Sequence, residues 1–227
     1  MTQTIAPVSP NPDLGPSAAL ILETAERLCG ERGLESVSIR DIAKEANVSI
    51  SVIYHHYESK ANLLRTILRT RLEELGKIRG AVFAEVEADP EPELRKILYA
   101  IFAPVVRLRA PGSGREATVQ YLARALVSTI PALKEETDAT VYHLRQVVSL
   151  LQRALPNLSH KEICWRLHFT FGIEHMTHWD DARLAIMSDG ECDGNAIEES
   201  IERAVAYAEA AFLAPAPAIG SASKAGA

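Results

Sequence analysis

Cysteine is scarce in this chain. Cys29, Cys164 and Cys192 are odd in number and show no paired spacing. That argues against a disulfide scaffold and fits a reducing compartment. No apolar run approaches the ~20 residues a membrane-crossing helix needs. Met1 to Pro16 has prolines and an acid but neither a basic start nor an apolar centre, so it does not read as a signal peptide. A Gly-rich phosphate loop, a nucleophile elbow and a strand-borne carboxylate pair are all missing, so catalysis has no foothold. The expectation is a soluble cytoplasmic protein, not an enzyme, with no cofactor, no bound metal and no membrane partner.

An overall positive charge is also lacking. The net charge is −6, which looks unpromising for contact with nucleic acid. Its distribution changes that reading. Between Ser36 and Arg79 there are eight Lys and Arg against five Asp and Glu, a local +3; the rest of the chain carries −9. Phosphate contact is a local electrostatic matter. So small a local excess implies specific contacts and dimerisation, not non-specific coating of a chromosome.

Enough apolar material is present for folding. Hydrophobic residues make up 47% of 227 residues, which excludes a disordered chain and allows one large domain or two small ones.

The densest local information lies between Ser36 and Leu64. Ser38-Ile39-Arg40-Asp41 is a capping box: the Ser38 hydroxyl accepts a backbone N–H and Asp41 reaches back to the Ser38 N–H. Ile39, Ile42, Ala43 and Ala46 then share one helical face. Asn47 stands where a helix ends in the left-handed conformation, which Asn tolerates. Ser49 caps a second, short helix from about Ile50 to His56. Two helices and a tight turn in fewer than twenty residues predict a DNA-binding helix-turn-helix.

Within the short helix, Ile53 and Tyr57 turn inward. Ile50, Ser51, Val52, Tyr54 and His55 then face outward, where a major groove accommodates apolar, hydroxyl and imidazole groups together. Ser59 caps a third helix whose N-terminal amides, with Lys60 beside them, suit a phosphate. The candidate DNA-binding residues are therefore Ser38, Ser49, Ile50, Ser51, Val52, Tyr54, His55 and Lys60. The bland alternative is a small helical hairpin with ordinary caps.

The run Ser38, Ile42-Ala43, Ala46-Asn47-Val48-Ser49, Ile53-Tyr54, His56-Tyr57, Ser59-Lys60, Leu63-Leu64 resembles the N-terminal domain of TetR/AcrR-family transcriptional regulators. Ile21, Ala25, Leu28, Cys29, Gly33 and Val37 fit the preceding helix. Asn47 and Ser51 stand where the family commonly has glycine, and Tyr57 replaces the usual phenylalanine. The resemblance implies an all-α homodimer that binds a double-stranded operator through this domain. It also implies a C-terminal small-molecule pocket whose filling releases the DNA.

Past Leu64 the chain reads as helices. Leu63 to Ile78 continue one long helix from the Lys60 cap, and Asp89-Pro90-Glu91-Pro92 breaks it. Leu94 to Val105 form a stripe with Pro104 as an expected kink. Pro111-Gly112-Ser113-Gly114 is a loop, followed by a helix through Val119, Leu122 and Val127. Pro131 opens the next, with Leu133, Val141, Leu144, Val147 and Leu151, and Pro156 stops it. Ser159-His160-Lys161-Glu162 is a second capping box, opening a helix through about Met187. A last helix spans about Ala196–Leu213. The expected layout is an arm at 1–16 and a tail at 214–227, both disordered. Between them lie the DNA-binding domain at 17–64 and a ligand-binding and dimerisation domain at 65–213.

The helix after Ser159 carries the most suggestive chemistry. Cys164, His168, Phe171 and His175 form one stripe, with Glu174 and His178 beside it and Trp165, Phe169 and Trp179 around. These groups suit a metal, a polar pocket or interface, or plain packing. Gly172 sits mid-helix at about 1 kcal/mol relative to Ala. Close approach of a partner helix would offset that, so Phe171, Gly172 and His175 are candidates for the dimer interface; a tolerated glycine is the alternative.

Tyr121-Leu122-Ala123-Arg124, Leu151 to Leu158 and Trp165-Arg166-Leu167-His168-Phe169 resemble the C-terminal domain of PsrA-like regulators of lipid degradation. That implies a fatty-acid-like effector; an aromatic one is equally open. The expected lining is Phe102, Tyr121, Trp165, Phe169 and His168, with the alternative that these residues only fill the core. Two other functions stay open: a constitutive architectural DNA binder that senses nothing and, more remotely, a metal-binding helical bundle.

Overall fold

The computed structural model describes residues 15–179 and 181–217; the side chains at 139–143 and 176–182 lie outside that description. The described chain is helical, with no strand: α1 (Pro16–Arg32), α2 (Ile39–Glu45), α3 (Ile50–Tyr57), α4 (Lys60–Glu87), α5 (Leu94–Leu108), α6 (Glu116–Ala125), α7 (Pro131–Ala154), α8 (His160–Trp179), α9 (Asp181–Met187) and α10 (Ile197–Leu213). The all-α class and the long helix from Lys60 are as the sequence predicts. The expected arm and tail fall mostly outside the described residues, as do the side chains of Val141, His178 and Trp179.

Local chemistry accounts for several boundaries. Pro16 and Pro131 open α1 and α7, where a missing N–H costs nothing. α5 runs on through Pro104 to Leu108. The expected helix at 159–187 is helical over His160–Trp179 and over Asp181–Met187, with residue 180 outside the described residues. At its start the Ser159 hydroxyl accepts the Glu162 N–H at 3.2 Å. The Glu162 carboxylate is bound by Arg166 Nε at 2.9 Å, so it serves an ion pair as well as a first-turn charge.

Two main cores organise the molecule. The first gathers Ile21, Leu28, Ile42, Ile53, Leu63, Leu64, Ile67 and Leu68, and also Tyr121, Leu122, Ala125 and Leu133 from α6 and α7. The second joins α5, α7, α8 and α10 through Leu98, Ile101, Phe102, Leu151, Ile163, Leu167, Ile201, Val205 and Phe212. A boundary at residue 64 is therefore not a break in packing: α4 crosses it, and α6 belongs largely to the first core.

The junction is polar as well as apolar. Arg71 donates to Glu26 at 2.8 and 2.6 Å and to Glu74 at 3.0 Å, and Arg115 reaches the same Glu74 at 3.0 Å. Tyr121 donates to the Leu64 carbonyl at 2.6 Å, and Arg124 to the Gly30 carbonyl at 2.9 Å. α1 and α6 lie so close at Gly30 that a Cβ there would stand 3.0 Å from the Ala117 oxygen. A side chain there would press on that backbone, and the two helices would have to part by a few tenths of an ångström.

Candidate nucleic-acid interface

The Ser38 box forms in full: the Asp41 N–H donates to Ser38 Oγ at 3.2 Å and the Ser38 N–H to Asp41 Oδ2 at 2.8 Å. The Ser38 hydrogen bonds hold the Asp41 carboxyl below its ordinary range. α2 ends as the sequence predicts. Asn47 takes φ 53°, its N–H meets the Lys44 carbonyl at 3.3 Å and the Val48 N–H meets the Ala43 carbonyl at 3.0 Å. This is a two-bond left-handed C-cap, with half-buried Val48 packed back on the core.

α3 then presents two unlike sides. Ile53 and Tyr57 are buried, and Tyr57 donates to the Ala18 carbonyl at 2.7 Å. That bond explains a hydroxyl where phenylalanine is usual, and burial pushes the phenol up to about 12. On the other side Ile50, Ser51, Tyr54, His55 and His56 are exposed, Tyr54 to 48%. Val52 is only half exposed and packs partly on the first core. Ser49 does not cap α3 with its side chain; its Oγ pairs with Ser51 Oγ at 2.8 Å. Ser59 caps α4 through the Asn62 N–H at 3.1 Å. Lys60 is half buried and its Nζ lies 3.4 Å from the Glu35 carbonyl, so it also ties the α1–α2 turn to α4.

Arg40, Lys44 and His56 are exposed alongside these groups and were missed as candidates. The signal was available: Arg40 and Lys44 stand four apart on α2, opposite buried Ile42 and Ala43.

The expected effector lining is not gathered into one place. Phe102 is fully buried in the second core and Tyr121 in the first. Trp165 and Phe169 stand 52% and 61% exposed, stacked with ring centroids 5.7 Å apart, and His168 is exposed beside them. The reason is helical phase. α8 buries Ile163, Arg166, Leu167, Thr170 and Glu174, so 165, 168, 169 and 172 must point the other way. The expected interface trio divides similarly. Gly172 is open, with no atom within 4 Å of a built Cβ, whereas Phe171 is half buried against the second core. His175 is also half buried, and burial lowers its pKa. Among the described residues no three His, Cys, Asp or Glu side chains gather as a metal site; Cys164 Sγ meets only His160 Nε2 of this set, at 3.6 Å.

A helix-turn-helix on a long helix, with a larger helical bundle behind it, defines a DNA-binding-type regulator architecture. Family comparison agrees. Residues 21–67 match the family described as "Bacterial regulatory proteins, tetR family", and residues 99–211 match "Tetracyclin repressor-like, C-terminal domain". The chain belongs to the TetR family of bacterial regulatory proteins. It is 35% identical over 88 residues to the HTH-type transcriptional regulator TtgR of Pseudomonas putida, a match covering 39% of this chain and 42% of that protein. The match thus spans less than half of that relative. A TetR-like transcriptional regulator from Rhodococcus sp. RHA1 superposes with TM-score 0.65 at 16% identity, covering 88% of this chain and 97% of that one. The transcriptional regulator FadR from Bacillus subtilis, solved with stearoyl-CoA, gives TM-score 0.58 at 16% identity, covering 82% and 96%. These structural likenesses establish the fold.

Proposed function

We propose that the protein is a homodimeric transcriptional repressor that grips a near-palindromic operator with α3 and releases it when an apolar small molecule enters the C-terminal bundle. The observation that carries this is the outward side of α3. Ile50, Ser51, Tyr54 and His55 stand exposed on a helix held rigidly by Ile53, Tyr57 and the Tyr57–Ala18 bond. In a major groove, Ile50 meets thymine methyls while Ser51 and His55 read base edges. Tyr54 and Lys60 serve phosphates, with Ser38 and Ser49 at the neighbouring helix starts. Two such helices about 34–36 Å apart engage successive turns of DNA.

Dimerisation uses the outer side of α8 and α10. Trp165, His168, Phe169 and Gly172 on α8, and Tyr207 and Leu213 on α10, are exposed. Arg166 locks the two helices together through the Ala211, Phe212 and Ala214 carbonyls at 3.0, 2.5 and 2.8 Å. The aromatic pair expected in a pocket is thus assigned to the contact between subunits, with Gly172 admitting the partner helix. Effector binding among α4, α5, α7 and α8 moves the recognition helix by two routes. One is α4 itself; the other is α6, bonded to Leu64 and Gly30. FadR, which carries stearoyl-CoA on this fold, supports an acyl-type effector.

The test is operator binding across salt concentrations. Tyr54→Ala and Lys60→Ala should weaken binding to all sequences, and Lys60→Ala should reduce the salt slope by about one. Substitutions at Ile50, Ser51 or His55 should instead change which site is preferred. A Lys60→Ala protein with unchanged affinity and salt slope would remove Lys60 from the phosphate contacts. A second reading, a DNA binder without effector sensing, is favoured by the filling of both cores by Phe102 and Tyr121. It predicts that no small molecule lowers operator affinity.

A further inference from the structure

One buried ion pair has no role in the architecture already described. Arg79, on the second half of α4, donates through Nη2 to Oε1 of Glu174 on α8. Glu174 is buried, and so is the Arg79 Nε, which meets no acceptor. α4 packs chiefly on α5 and α7, and α8 on α7 and α10; between α4 and α8 the approach is at most glancing. The long Arg79 side chain bridges that space. Val82 and Phe83 stand one turn beyond Arg79 on α4, and Phe171 and Ile173 stand within one turn of Glu174 on α8, all only partly buried against the second core. A charged pair is therefore set among apolar groups, with one guanidinium donor unused.

An unmet buried N–H costs about 1–3 kcal/mol, and native interiors rarely keep one. A guanidinium presents Nε and Nη2 as a parallel fork for the two oxygens of one carboxylate. Glu174 occupies only the Nη2 arm. We infer that Arg79 is the anion anchor of the effector site, and that the effector is an apolar carboxylic acid whose carboxylate displaces Glu174 and takes both arms of the fork. This deepens the ligand-responsive reading above and rests on it. The acid gains one charge-assisted bond that Glu174 does not make, and its apolar body lies against Val82, Phe83 and Phe171. Glu174 can leave without stranding a buried charge, because burial already pushes its carboxyl up from the ordinary range and Arg79 holds it down. Released from Arg79, it takes up a proton from solvent. The same exchange cuts the bridge between α8 and the helix that begins at Lys60, beside α3.

Isothermal titration of the full-length dimer with decanoate and biphenyl-4-carboxylate, against decanol and biphenyl-4-methanol, tests this. In the unmodified protein at least one acid should bind about tenfold or more tighter than its alcohol, a difference of about 1.4 kcal/mol. Arg79→Gln should abolish that preference. Glu174→Gln should keep or tighten acid binding, since it removes the competing carboxylate; a merely structural pair would lose binding in both variants. The neutral Arg79→Gln/Glu174→Gln protein guards against misfolding of a single variant, and should bind acid and alcohol alike. Equal binding of acids and alcohols by the unmodified protein, no binding of either acid, or equal loss of acid binding in both single variants overturns the assignment. Operator release, measured separately, divides the two readings. Arg79-dependent acid binding without release sinks the ligand-responsive repressor and leaves the anchor. Release by alcohols as well as acids, unaffected by Arg79→Gln, does the reverse.

Discussion

The first core and the α8–α10 face are built on opposite plans. Around α2 and α3 the turn is held by backbone bonds between near neighbours, and the buried side chains, Ile42 and Ala43 on α2 and Ile53 and Tyr57 on α3, come from one side of each helix. α8 has apolar residues on two sides: Ile163 and Leu167 inward, Trp165 and Phe169 outward. The first plan makes a rigid platform that needs no partner. The second leaves stacked aromatics in water until something covers them, a pattern that marks interaction surfaces. A rigid platform and an uncovered apolar face are what the dimeric DNA reader proposed above would require.

Substitution should separate these plans most sharply at their junction. Arg71→Met leaves Glu26 a buried acid without its cation, and should cost about 3–5 kcal/mol in urea denaturation at neutral pH. Adding Glu26→Gln should recover much of that. If the single change costs under about 1 kcal/mol, the junction network is not what binds α1 to α4.

Gly172→Glu should act on the other plan. A Cβ at this position meets no atom within 4 Å in the subunit, so the fold should be retained while the dimer dissociates. An unpaired charge in the interface costs several kcal/mol, and light scattering should report monomers that have lost operator affinity. A fully dimeric variant would move the interface off this face.

Tyr57→Phe should cost about 1 kcal/mol, because it removes the side-chain bond to the Ala18 carbonyl where α3 joins α1. Operator affinity should fall with it, since the same bond sets the pitch of α3. Thermal melts and operator titration should move together.

The smallest effect belongs to the α2 cap. Ser38→Ala should cost about 1 kcal/mol. Asp41 adds a pH signature. Its folded pKa lies below the unfolded one, so its contribution is present above about pH 4 and disappears as pH falls through the folded value. Asp41→Asn should remove that acid-side component of the stability profile.

The reading of α2, the Asn47 turn, the buried pair Ile53 and Tyr57 and the outward face of α3 was available from spacing alone. Caps and turns act over a few residues, and α3 has one apolar phase at its buried positions. Ser49 was misread because a serine before a helix can bond its own neighbours as well as the helix, and here Ser51 is nearer. The five expected effector residues lie apart: Phe102 and Tyr121 are buried in different cores, and Trp165, His168 and Phe169 face outward from α8. They were chosen as aromatic or imidazole groups on helices, but a helix apolar on two sides carries no signal for which side turns inward.

By itself, then, the amino-acid order determined an all-α chain, its breaks at Pro90, Pro92, Pro111 and Pro156, and the DNA-binding motif, because those depend on backbone chemistry within a turn or two. Only tertiary structure decided that α6 serves the first core, that Trp165 and Phe169 face out, and that Arg79 meets Glu174 across 95 positions of sequence. Such pairings are set by how whole helices stack against one another, and no local pattern of residues encodes the phase or the partner of a helix that can pack on either side.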